Sequence, residues 1–125
     1  MSEFSGACGA GICLRRERLE IHRQFGPGLN ETDLETALSR ELHEFDIAHR
    51  CQFPLPLVYK GAHLDCGYRM DIVLLGQLIL EHKALDKLHP VHEAQPLTYL
   101  KLSKITLGLL TNFGGLLLKD ILLGI

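Results

Sequence analysis

The sequence predicts an α/β domain in which a mixed sheet is flanked by helices. Three observations predict it: apolar residues at helical spacing from Asn30 to Phe45, short apolar runs broken by turn residues from Cys51 to Lys83, and a second helical stretch followed by two apolar runs around Gly114 and Gly115. At 125 residues the chain has the length of one domain, residues 1–125, enough to bury one core.

The elements follow in order. Residues 1–13, small and Gly-rich, are expected to form a flexible N-terminal segment. The first helix runs from about Leu14 to Gln24, with Leu14, Leu19 or the stem of Arg18, and Ile21 turned inward, and Gly26-Pro27-Gly28 stops it. A second helix starts at Asn30 or Thr32, either of which can cap it, and carries Leu34, Ala37, Leu38, Leu42 and Phe45 on one face. From Cys51 the pattern changes. Phe53, Leu55, Leu57 and Tyr59 alternate, and the two prolines among them point to an edge strand. Tyr68 to Leu75 and the run from Gln77 through Glu81, separated by Gly76, read as a hairpin. Pro90 then suits the first turn of a third helix, lined by Val91, Ala94, Leu97 and Leu100 or Leu102, with Pro96 expected to kink it. ITLGLLTNF and LLLKDILLGI read as two buried strands. The order is α-α-β-β-β-α-β-β.

Composition narrows the function. Thirteen Lys and Arg against fifteen Asp and Glu give a net charge of -2, so the field of the whole molecule does not attract nucleic acid. A polyanionic partner would need a local basic patch or a bound cation. Cys8, Cys13, Cys51 and Cys66 form no CxxC pair, which fits the reduced thiols of a cytoplasmic protein better than a disulfide framework. The N-terminal charges follow the apolar part, the reverse of a secretory signal, and no apolar stretch is long enough to span a bilayer.

The chemistry concentrates in YRMDIVLLGQLILEHKA. On a strand Glu81 and Lys83 share a face and His82 takes the other, while Asp71 on the neighbouring hairpin strand can lie beside them. Two carboxylates in one site repel unless a cation neutralises them, which suggests a hard, oxygen-ligated ion such as Mg²⁺ or Mn²⁺. Such an ion could present water to phosphorus, with Lys83 orienting that water or offsetting phosphate charge. An acid and a lysine two apart are also a common surface salt bridge, and spacing does not decide between the two. His89 and His92 could clip a metal, although histidines at a helix start are more often exposed or capping. Arg15, Arg16, Arg18 and Arg23 make a basic helix face that reads as solvated before it reads as a phosphate contact.

The wider pattern resembles the GxxExxY family, a branch of the PD-(D/E)XK nuclease superfamily. The matching segments are FGPGLNETDLETALSREL, YRMD, LILEHKAL, HEAQPLTYLKL and GLLTNFG, in the family's order and covering about Arg23 to Leu118. The resemblance implies a restriction-endonuclease-like core with Asp71 as the metal-binding aspartate, Glu81 and Lys83 as the E-x-K pair, and Glu31 on the first core helix as a further metal ligand. It places Gln95 in support of catalysis on the helix after the E-x-K strand, with Tyr99 one turn beyond. The chain departs from the family at Leu34, where the naming tyrosine would stand, at His82, at Pro96 and in its C-terminal strand. Two functions follow: a metal-dependent nuclease acting on DNA, or a non-catalytic module of the same fold that binds nucleic acid or protein. A homodimer pairing two clefts stays open, and no interface is legible in the residues.

Overall fold

A computed structural model describes residues 18–124, so the expectations for residues 1–13 and for Arg15 and Arg16 lie outside the described residues. Helix α1 includes residues 18–25, and a single 3₁₀ turn at Gly26–Gly28 follows it. Helix α2 spans Glu31–Glu44, and the Asn30 side chain caps it by accepting the Asp33 N–H at 2.8 Å. The strands are β1 His49–Pro54, β2 Leu57–Tyr59, β3 Ala62–Leu64, β4 Arg69–Leu74, β5 Leu78–Lys83, β6 Leu107–Asn112 and β7 Lys119–Gly124, with α3, Val91–Ser103, between β5 and β6.

Five strands form the main sheet in the order β1-β4-β5-β6-β7, and β2 and β3 form a separate hairpin. All neighbours are antiparallel except β5 and β6, which run parallel. A parallel neighbour needs a crossover, and α3 provides it. The sheet is therefore mixed, as expected, and β1 is the edge strand that its prolines predict. The run through Tyr59 is not one strand. Between Phe53 and Leu57 the prolines at 54 and 56 remove two ladder donors, so β1 ends at Pro54 and the chain restarts as β2.

Each sheet face is closed by its own apolar cluster. Leu34, Leu38 and Leu42 of α2, with Ile21 of α1, pack on Ile72, Leu74, Leu78 and Leu80. Tyr99 and Leu100 of α3 pack on Met70, Val73, Ile79 and Leu110. The helical readings differ at the ends of two helices. Phe45 is half exposed because it sits at the C-cap of α2, and the buried face of α3 holds Pro96, Tyr99 and Leu100 while Val91 and Ala94 face solvent. Pro96 lies inside α3, which continues through it.

In α1 the structure decides between the two inward candidates: Arg18 is 1% exposed and Leu19 points to solvent, so Arg18 does not belong to a solvated basic face. Its guanidinium donates to both carboxylate oxygens of Asp120 on β7, at 2.9 and 3.1 Å, and to the Thr111 hydroxyl on β6 at 2.6 Å. This fork anchors α1 across two strands, a bidentate geometry that arginine provides and lysine does not. The last apolar run also begins its strand late, at Lys119, which leaves Leu116 and Leu117 exposed in the turn and Leu122 exposed on the edge strand.

Candidate active site

The β4–β5 ladder stops where the carboxylates begin. Its last registered pair is Ile72 with Leu80, and Asp71 and Glu81, next in line, fall outside it. The two strands are linked there by side chains instead. The Asp71 N–H donates to Glu81 Oε1 at 3.0 Å, and the His82 N–H donates to Asp71 Oδ2 at 3.0 Å. On the other side of Asp71, the β1 register skips Gln52, whose φ of 50° lies in the left-handed region. Asp71 thus sits in a gap distorted on both flanks, and its carboxylate lies beside that of Glu81.

Burial sets the electrostatics. Glu81 is 3% exposed. Desolvation, then the charge of Asp71, pushes its pKa up to about 9, against the pull of the Asp71 N–H and the Lys83 ammonium. Near neutrality Glu81 therefore holds a proton that a bound cation would displace. The same charges reach α3. The Tyr99 hydroxyl pKa is raised by burial and by Glu81 and Asp71, and the Gln95 side chain opposes the rise. Gln95, exposed one turn before Tyr99, thus bears on the acidic pair through that hydroxyl. No hydrogen bond joins it directly to Asp71 or Glu81 among the described residues.

Glu31, the first residue of α2, comes to the exit of β5: its Oε1 accepts the Ala84 N–H at 3.4 Å, one residue beyond Lys83. Two further residues join this neighbourhood that the sequence reading did not single out. Glu35, one turn after Glu31, places Oε1 4.0 Å from His82 Nε2, and helical spacing from Glu31 was the available signal. Asn112, opposite Lys83 in the parallel ladder, accepts the Leu85 and Gly114 N–H groups at 2.9 and 3.1 Å and donates to Leu85 O at 2.8 Å. It fixes the chain leaving β5. A buried polar residue amid an apolar run was its only trace.

A family model for the PD-(D/E)XK nuclease superfamily matches residues 13–121. The chain belongs to that superfamily. No curated protein and no solved structure matches it. The three helices and the five-stranded, mainly antiparallel sheet are those of a restriction-endonuclease-like PD-(D/E)XK fold. Nucleases of this superfamily generally use divalent metals. Among the described residues no three His, Cys, Asp or Glu side chains close on one point. Mg²⁺ does not need three, since it commonly binds through one or two carboxylates and completes its shell with water and substrate phosphate. The Asp71–Glu81 pair fits that demand, because the two side chains meet and burial with like charge disfavours both being bare carboxylates. His92 acts as a cap: its Nδ1 accepts the His89 backbone N–H at 2.9 Å at the start of α3. No helix among the described residues is long and apolar enough to cross a membrane.

Proposed function

We propose that this PD-(D/E)XK protein is a metal-dependent nuclease that hydrolyses phosphodiester bonds of DNA, in the GxxExxY branch and in the cytoplasm. The observation that carries the reading is the pairing of half-buried Asp71 with buried Glu81 in the opened β4–β5 ladder, with Glu81 held at about 9. Asp71 and Glu81 would hold Mg²⁺ or Mn²⁺, with Glu31 at the start of α2 swinging from the Ala84 N–H to join them, and the ion would supply an activated water and neutralise charge developing on the phosphate. Lys83 shares the strand face of Glu81 and orients the attacking water or offsets phosphate charge. Gln95 supports the site through Tyr99. Exposed Leu116, Leu117 and Leu122 along the β7 side support the homodimer that the sequence leaves open.

The test is cleavage of single-stranded, duplex and branched DNA with Mg²⁺ or Mn²⁺. Lys83→Ala and Asp71→Asn should each lower the rate about a hundredfold or more, the range of a positioned acid–base or electrostatic group. A parent that binds Mn²⁺ but cuts no DNA, and is matched in DNA binding by both variants, would favour the non-catalytic module instead.

A further inference from the structure

His82 stands between Glu81 and Lys83, and its side chain points the other way, into the layer between the sheet and α2. It is 1% exposed, and neither ring nitrogen has a hydrogen-bond partner. Such an orphan is costly, since a buried polar group without a partner loses its solvation with no return. The ring shares its strand face with Leu78 and Leu80, which belong to the apolar cluster under α2. The ring is nonetheless aimed at something: Nε2 lies 4.0 Å from Asp71 Oδ2 and 4.0 Å from Glu35 Oε1. In either tautomer a histidine ring carries an N–H to give, and here the nitrogen facing the two carboxylates is Nε2.

One donor therefore stands equidistant from two carboxylates, and one of these is the aspartate that the proposed function makes a metal ligand. Carboxylates on a metal are themselves held by outer hydrogen bonds, which fix the angle of the ligating oxygen. We propose that His82 is a positioning residue: its Nε2–H closes onto Asp71 Oδ2 when the site takes its cation and fixes that carboxylate from the α2 side, with Glu35 as the competing acceptor. A closure of about 1 Å converts the present separation into a hydrogen bond. The inference rests on the metal reading of Asp71 and extends the site through the sheet to the face opposite Glu81 and Lys83.

Two readouts separate this role from simple core packing: Mn²⁺ affinity by titration calorimetry, and melting of the full chain in EDTA. His82→Leu should melt no lower than the parent, because it removes an unpaired buried polar group, yet bind Mn²⁺ about tenfold more weakly or worse. His82→Gln keeps an N–H donor and should return affinity to within about threefold of the parent. His82→Met makes the same comparison if the leucine variant does not fold. Mn²⁺ binding by the leucine or methionine variant within about threefold of the parent overturns the positioning role and leaves the metal reading intact. A parent that binds no Mn²⁺ overturns both.

Discussion

Glu81 shows how one side chain records the state of a site. A carboxylate that is buried, has Asp71 beside it and has its pKa pushed up to about 9 binds a proton in the folded chain that the unfolded chain releases near pH 4.5. Between those values the folded state holds more protons, so stability is fully present below about pH 4.5 and is lost as pH rises towards 9. In EDTA the melting temperature of the parent should fall steadily over that window. Glu81→Gln cannot titrate and should flatten the fall while keeping the volume of the side chain. Melts at half-unit pH steps read both curves, and a parent curve as flat as that of the variant would refute the raised pKa. The meeting of Asp71 and Glu81 was legible in the sequence because the turn at Gly76 makes their strands neighbours in a hairpin. The splitting of the ladder was not, since it depends on which backbone N–H groups the carboxylates capture.

At the scale of elements, the long periodic segments were readable and the junctions were not. Leu34, Leu38 and Leu42 announce α2, and the turn at Gly76 announces the β4–β5 hairpin. The break at Pro54 to Pro56 depends on where β1 loses its ladder, and the anchoring of α1 through Arg18 depends on Asp120, 102 residues away. Local periodicity carries neither. The same holds for the crossing of the chains that leave β5 and β6. Asn112 bonds to Leu85, and Gly114 runs so close that an added Cβ would lie 2.3 Å from both Leu85 N and Leu85 O. Backbone atoms cannot rotate away as a side chain can. Gly114→Ala should therefore cost about 3 kcal/mol or more, at the upper end for overpacking, by chemical denaturation. Because Leu85 follows Lys83 by two residues, the variant should also weaken Mn²⁺ binding. Gly28→Ala, where a Cβ meets nothing within 4 Å, is the control and should do neither.

The whole molecule carries a net charge of -2, so its long-range field offers a DNA backbone no attraction, and in the proposed function a cation in the cleft would be the charge that brings phosphate and carboxylates together. That coupling is measurable without any substrate. A ligand that binds only the folded chain stabilises it by about 2.7 kcal/mol at a hundredfold excess over Kd, which for a domain of this size is roughly 10 °C in melting temperature. The proton on Glu81 must leave as the cation enters, so affinity should fall about tenfold for each pH unit below its pKa of about 9. At one fixed Mn²⁺ concentration the melting shift should thus be several degrees larger at pH 8 than at pH 6. It should vanish in Asp71→Asn at both values. A shift equal at the two pH values, or one that survives in Asp71→Asn, would place the ion away from the β4–β5 gap. In that event the acidic pair would be a buried proton store that helps hold the sheet together, and the fold would be a nuclease scaffold without a nuclease's metal.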